Sequence, residues 1–146
     1  MGEGKQICRG SLKLTLGGAR IMLAASEQKA VEIGVPMDIA IVDDGGNLLL
    51  FERMDGAKIT GIDIAINKAF TAACSRRGTH EYAEVASPGK PAFGIHVSNQ
   101  GRFMIFGGGL PIVVDGEVVG GIGCSSGTAE QDRQVAQAGI DALQSR

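Results

Sequence analysis

Two pairs of β-type runs are each joined by a short turn that contains glycine, and this pattern limits the fold more than any other feature. The runs 37–43 and 48–54 flank the turn DDGGN (43–47), and the runs 110–114 and 117–124 flank an Asp-Gly dipeptide. Glycine supplies the positive φ that tight hairpins require. Because such turns join antiparallel strands, the pattern argues against a parallel, doubly wound sheet.

Three further segments repeat apolar residues with the period of an α-helix. They span residues 16–33, 59–77 and 129–143. Thr15 stands where an N-cap belongs before the first segment, and Gly34 stands where a C-terminal glycine belongs after it. The residues TAEQ at 128–131 have the spacing of a capping box. We therefore predict three helices around the hairpins.

Shorter segments complete the pattern. Residues 11–16, 93–98 and 102–106 carry apolar side chains as strands do, and 79–86 has the composition of a short helical turn. Helices packed on one face of an antiparallel sheet form a layered α+β domain. We therefore predict the α+β class in a PAS- or profilin-like arrangement.

Length and composition indicate one folded domain. The chain of 146 residues has a common single-domain size, and we assign residues 1–11 to an N-terminal tail and 12–146 to the domain. An apolar fraction of 44% against 21% charged residues excludes a disordered chain. Only 4% of the residues are aromatic and none is tryptophan, so Ala, Val, Ile and Leu must form the core.

Charge and cysteine content exclude several classes of partner. The net charge is −2 and the basic residues are scattered, which argues against nucleic-acid binding. No apolar run approaches the roughly 20 residues that span a membrane. The three cysteines are far apart without CxxC spacing, and the start of the chain lacks the apolar stretch of a signal peptide. We expect a cytoplasmic protein with reduced thiols that binds neither nucleic acid nor membranes.

A run of three glycines, Gly107, Gly108 and Gly109, is the first candidate binding element. Glycines let a backbone approach a ligand closely, although a turn or bulge between strands is the plainer explanation. The chain has neither the GxxxxGK[ST] phosphate loop nor a complete GxGxxG motif. Nucleotide binding through those motifs is therefore excluded.

Two histidines and two cations are the other candidates. His80 and His96 are the only histidines, too few for a closed zinc site, although either could ligate haem iron. Arg53 and Lys68 could pair with acidic groups of a ligand, such as haem propionates. The alternatives are ordinary surface or core roles for the histidines and structural ion pairs for the cations, for example between Arg53 and Asp55.

The chain resembles the GlcG/HbpS family in the identity and order of its motifs. These are DDGGN (43–47), RMDGA (53–57), KA (68–69), GTHE (78–81), FGGGLPI (106–112), DGEVVG (115–120) and EQD (130–132). The likeness extends over residues 12–143. GTHE, together with SNQ at 98–100, is most similar to the branch that contains the C-terminal domain of PduO and the OrfY proteins.

The resemblance implies a five-stranded antiparallel sheet flanked by helices, assembled into homo-oligomers from dimers to octamers. It further implies a small-molecule binding protein that takes haem or, less directly, a corrinoid. The implied role is accessory to diol, glycerol or glycolate metabolism. The adenosyltransferase chemistry of PduO belongs to a separate N-terminal domain that is not part of this sequence, so the resemblance favours a protein that is not an enzyme.

For the site, the resemblance implies a histidine on haem iron. Relatives of the PduO type carry that ligand on the N-terminal helix, but residues 16–33 contain no histidine. His80 is therefore the expected iron ligand and His96 the second choice, with the two cations and the glycine run around the cofactor. Two alternatives remain open: an enzyme acting on a small polar metabolite near the helix start at 125–128, or a structural subunit that serves assembly only.

Overall fold

The computed structural model of the protein describes residues 6–8 and 10–145. Its helices are α1 (Leu16–Ile33), α2 (Gly61–Ser75), α3 (Thr79–Val85) and α4 (Ala129–Gln144). Its strands are β1 (Asp38–Asp43), β2 (Leu48–Arg53), β3 (Gly109–Val114) and β4 (Glu117–Ser125). The predicted tail, 1–11, lies partly outside the described residues, and all of these elements fall within the predicted domain, 12–146.

The strands form one antiparallel sheet in the order β2-β1-β4-β3. Both predicted hairpins are confirmed, because β1 pairs with β2 and β3 pairs with β4. In the interior of the sheet, Ile41 of β1 lies opposite Leu50 of β2 and Ile122 of β4. The antiparallel pairing of β1 with β4 also places Ser125 opposite Asp38, at the end of the sheet where the candidate site lies.

Helices cover both faces of the sheet, so the α+β class is confirmed but the prediction of helices on one face is wrong. On one face, Ala65 and Ala69 of α2 pack with Ala40 of β1. On the other face, α1 and α4 pack against the side of β1 that carries Ile39 and Ile41. Successive side chains of a strand point to opposite faces, and in β1 both sets are apolar, so each face requires a helical cover.

The implied number of five strands is wrong, because the described residues form a four-stranded sheet. The segments 93–98 and 102–106, predicted as strands, instead contain 3₁₀ turns at Ile95–Val97 and Asn99–Gly101 followed by irregular chain. Gly94 and the three residues of the second turn adopt positive φ. A strand requires negative φ at successive residues, so this backbone turns repeatedly instead of extending.

The predicted caps are confirmed. Thr15 Oγ1 accepts a backbone hydrogen bond at 3.0 Å at the start of α1, and Gly34 ends that helix with a φ of +72°. Thr128 and Gln131 form the predicted capping box of α4. Because α1 begins directly after its cap, residues 11–15 lie outside the sheet, and their prediction as a strand is wrong.

The second predicted helix, 59–77, is shorter in the structure. α2 ends at Ser75 because Arg76 adopts the left-handed conformation with a φ of +64°. Gly78, the residue that follows the predicted helix, directly precedes the first residue of α3. The short helix that carries His80 therefore starts after a three-residue connection, 76–78.

Candidate functional site

A buried ion pair joins α2 to α4 at one end of the sheet. Lys68 Nζ lies 2.9 Å from Asp132 Oδ2, and the two side chains are 1% and 4% exposed. Lys68 Nζ also donates to the Cys124 carbonyl oxygen at 3.0 Å, and Asp132 Oδ1 accepts from Gly127 N at 2.9 Å. Burial raises the pKa of Asp132, although the Lys68 ammonium opposes the rise. Lys68 therefore makes a structural ion pair, the alternative that the sequence left open.

Phe106 covers this ion pair and forms part of the wall of a cavity. Its ring centroid lies 5.0 Å from Lys68 Nζ, within the range of a cation–π contact. The cavity has a volume of about 340 Å³ and lies between the first residues of α2 and α4. Its polar walls include Lys58, Ser125 and Asp132. The Lys68–Asp132 ion pair therefore lies at the edge of this cavity.

The glycine run packs against the protein itself. A side chain on Gly108 would lie 2.6 Å from Lys68 Nζ, and the φ of +131° at this position also favours glycine. A side chain on Gly109 would collide with the Lys68 carbonyl oxygen, and one on Gly107 would lie 3.3 Å from His80 Cβ. The run lets the start of β3 pass close to α2, α3 and α4. Close packing within the protein therefore explains why glycine occupies these three positions, and the explanation does not require a bound ligand.

His80 lies half-buried in the first turn of α3, beside the glycine run. Its ring packs on Gly78, where a side chain would lie 2.6 Å from His80 Nδ1. That nitrogen is enclosed and has no hydrogen-bond partner among the described residues. Gly78 N donates to Glu81 Oε2 at 3.1 Å and so secures the start of α3. The ring is thus held in one place with an unpaired nitrogen.

His96 lies in the 3₁₀ turn Ile95–Val97, so the strand predicted for it is wrong. Its ring centroid lies 5.5 Å from that of Phe93. Its enclosed Nδ1 likewise has no partner within residues 6–8 and 10–145. The two histidines therefore lie on separate elements, each with one unpaired ring nitrogen.

Arg53 and Asp38 occupy neighbouring strands at the same end of the sheet. Arg53 is exposed and forms no ion pair with Asp55 or another carboxylate in the described part of the chain. Asp38 is fully buried, and neither carboxyl oxygen has a hydrogen-bond partner there. Burial raises the pKa of Asp38; the Arg53 charge opposes the rise and the Asp132 charge adds to it. An unpaired buried carboxyl group is costly, so its presence calls for a functional explanation.

Asp38 and Asp132 are the site residues that the sequence reasoning missed. Asp132 directly follows the capping box at 128–131, and the capping box already accounts for the polar residues of this segment. Its partner Lys68 lies 64 positions earlier in the sequence. Asp38 is an isolated carboxylate in the otherwise apolar run 37–42. That isolation is the one signal in the sequence that points to it.

Replacing Asp38 by asparagine is expected to raise the free energy of unfolding at pH 7 by about 1 kcal/mol. The pKa of Asp38 is higher in the folded protein than in the unfolded chain. Asp38 therefore destabilises the fold least below its unfolded pKa, and its ionisation destabilises the fold increasingly as the pH rises through the folded pKa. The gain should therefore disappear near about pH 3. Urea unfolding at several pH values measures it, with Asp115→Asn in the exposed β3–β4 turn as the control. A variant less stable than wild type at pH 7 would contradict this account of Asp38.

Comparison with known proteins identifies the family. The family model described as haem degrading protein HbpS-like matches residues 14–141, which include all of the elements above except the last residues of α4. This chain belongs to the HbpS-like family. The resemblance to the GlcG/HbpS family is thereby confirmed, and it rests on nearly the whole domain.

Individual proteins that are similar to this HbpS-like chain support the same family assignment. A 15.0 kDa protein from the dhaT-dhaS intergenic region of Citrobacter freundii is 49% identical over 128 residues, which are 88% of this chain and 90% of the relative. The crystal structure of ORFY from Klebsiella pneumoniae has a TM-score of 0.92 and 41% identity, covering 100% of this chain and 98% of that one. A structure of a PduOC–haem complex has a TM-score of 0.86 and 34% identity, covering 90% and 95%.

No helix in the described part of this HbpS-like chain has the length and apolar character needed to cross a membrane. The expectation of a cytoplasmic protein stays a prediction.

Proposed function

We propose that this protein binds haem and that His80 ligates the iron. The observation that carries the proposal is the likeness to the PduOC–haem complex, which extends over 90% of the chain at 34% identity. Imidazole is a common ligand of haem iron, and the chain has only two histidines. The accessory role in diol, glycerol or glycolate metabolism belongs to the same proposal, with a corrinoid as the second tetrapyrrole.

The surroundings of His80 fit an iron ligand. Its ring is fixed by Gly78 and by the start of α3, so little rotational freedom is lost when a metal binds. Nδ1 is enclosed, which leaves Nε2 as the nitrogen available to iron, and half-burial gives the ring one open side. When bound, haem would supply an iron centre for redox or ligand-binding chemistry, and His80 would orient it. His96 has a similar unpaired nitrogen and is the second choice.

The cations and the glycines take different parts in this proposal. Arg53, exposed and without an ion pair in the described residues, is the cation that can receive a propionate. The Lys68 ammonium is already occupied by Asp132 and the Cys124 carbonyl oxygen. In this proposal Lys68 and the run Gly107–Gly109 therefore shape the protein behind His80.

Haemin titration of His80→Ala and His96→Ala tests the ligand. We expect His80→Ala to lose the saturable Soret band, with at least a tenfold weaker affinity, because alanine lacks the imidazole nitrogen that would hold the iron. His96→Ala serves as the matched control and should bind haem as the wild type does. Loss of the band in His96→Ala alone would transfer the role to His96, and a band unaffected in both variants would contradict histidine ligation.

We also propose that the protein forms a homo-oligomer of two to eight subunits. Large apolar side chains remain exposed on the single chain, among them Ile59 at 73%, Val97 at 72% and Phe93 at 55%. Exposed apolar surface of this kind is often covered by another subunit. Sedimentation velocity should give a mass of at least two chains, and a monomer at micromolar concentration would contradict the proposal.

A further inference from the structure

The cavity between the starts of α2 and α4 has the polar groups of a binding site. Lys58, Thr60 and Ser125 are among its walls, and the Phe106 ring supplies an apolar surface. Both helices are at least 15 residues long, so the positive ends of their dipoles lie at the cavity. The Lys58 side chain lies close enough to Asp132 for its charge to lower the pKa of that carboxyl group.

The unpaired carboxyl group of Asp38 lies directly behind this wall. Its Oδ2 occupies the place that a side chain on Gly61 would take, and Ser125 Oγ lies 3.4 Å from the same point. Gly61 and Ser125 both line the cavity, whereas Asp38 is fully buried with no partner among the described residues. The Ser125 hydroxyl also makes no hydrogen bond within that part of the chain. Two adjacent polar groups are therefore unsatisfied, one behind the wall and one in it.

We propose that this cavity binds a small hydroxylated carboxylate, with its carboxylate at Lys58 and the helix starts and its hydroxyl at Ser125. Ser125 lines the cavity, is 6% exposed and has no hydrogen-bond partner for its hydroxyl among the described residues, so a ligand hydroxyl can donate to Ser125 Oγ. The ligand thus supplies the partner that the described residues do not give Ser125. The organic body packs on Phe106.

Charge favours a monoanion over a phosphate ester. Lys58 is the lysine in the cavity wall without a carboxylate partner in the described residues, since Lys68 is neutralised by Asp132. Asp132 contributes a carboxylate to the wall, and Asp38 adds another behind it. Because Lys68 and Asp132 cancel each other, Lys58 is the unpaired charge of the wall among the described residues, and one lysine matches a single carboxylate better than a doubly charged phosphate.

Equilibrium dialysis of the haem-free protein with radiolabelled D-glycerate tests the site. We expect saturable binding of one glycerate per chain, at least tenfold weaker in Lys58→Ala and at least fivefold weaker in Ser125→Ala. Lys90→Ala, which removes an exposed lysine from the loop after α3, is the matched control and should change the affinity less than twofold. Circular dichroism of each variant confirms that it is folded.

Competition separates the ligand classes. Propionate lacks the hydroxyl, glycerol lacks the carboxylate and glycerol 3-phosphate carries the dianion, so each should displace glycerate at least tenfold less effectively than unlabelled glycerate does. Absence of saturable binding, an affinity unchanged in Lys58→Ala, or tighter binding of the phosphate ester would overturn the proposal. The measurement does not involve haem, so either outcome leaves the haem proposal to its own test.

Discussion

Replacing Lys68 by methionine is expected to destabilise the protein by about 3–5 kcal/mol. Methionine keeps most of the side-chain volume but removes the ammonium, which leaves the buried Asp132 carboxylate without its partner at 2.9 Å. It also removes the donor to the Cys124 carbonyl oxygen. Chemical denaturation at pH 7 measures the loss of unfolding free energy.

The exposed pair Lys13–Asp44 provides the matched control. Its nitrogen and oxygen are 3.0 Å apart, but the two side chains are 66% and 36% exposed. Lys13→Met should therefore cost less than about 1 kcal/mol. The double variant Lys68→Met/Asp132→Leu should recover most of the stability, because it leaves no unpaired charge. Equal losses in Lys68→Met and Lys13→Met would show that burial does not set the strength of the Lys68 pair.

Replacing Gly123 by alanine is expected to destabilise the protein by about 3 kcal/mol. A methyl group at this position would collide with the Ala65 carbonyl oxygen and would lie 3.0 Å from Lys68 Cβ. The first obstacle is backbone, which cannot move aside as a flexible side chain does. The helix α2 would have to shift away from the sheet, and the Lys68 ion pair would shift with it.

Gly17 near the start of α1 is the control for this substitution. There the nearest atom to an added side chain is Thr15 Oγ1 at 3.7 Å, an ordinary contact. Gly17→Ala should therefore leave the stability unchanged or raise it by up to about 1 kcal/mol, since alanine favours helix. Thermal unfolding of both variants makes the comparison. A Gly123→Ala protein as stable as the wild type would mean that α2 does not need this close approach.

Local signals predicted much of the fold. The two hairpins, the cap at Thr15 and the capping box at Thr128 depend on residues close together in the sequence, and all are confirmed. The segment 93–106 was predicted incorrectly because its apolar residues follow a strand-like pattern while its φ angles are set at Gly94 and at 99–101. The spacing of apolar residues gives no information about these φ angles.

The candidate site was less predictable because its partners are distant in sequence. Lys68 was identified as a cation, but its partner Asp132 becomes evident only when α2 and α4 meet at the end of β4. The glycine run was identified as well, yet its role depends on what fills the space beside Gly108, which only the packing shows. Neither the apolar pattern of 37–42 nor a hydrogen bond among the described residues explains the buried Asp38 carboxyl group. We therefore relate Asp38 to function.

Haem binding by the wild-type protein is the most direct test of this account. Haemin titration, followed by absorbance, should give a Soret band that saturates at one haem per chain or per dimer. A band of that stoichiometry, lost in His80→Ala and retained in His96→Ala, is the predicted result. A haemin spectrum that never saturates, or that does not differ from haemin in buffer, would contradict the central claim that this HbpS-like chain is a haem-binding protein.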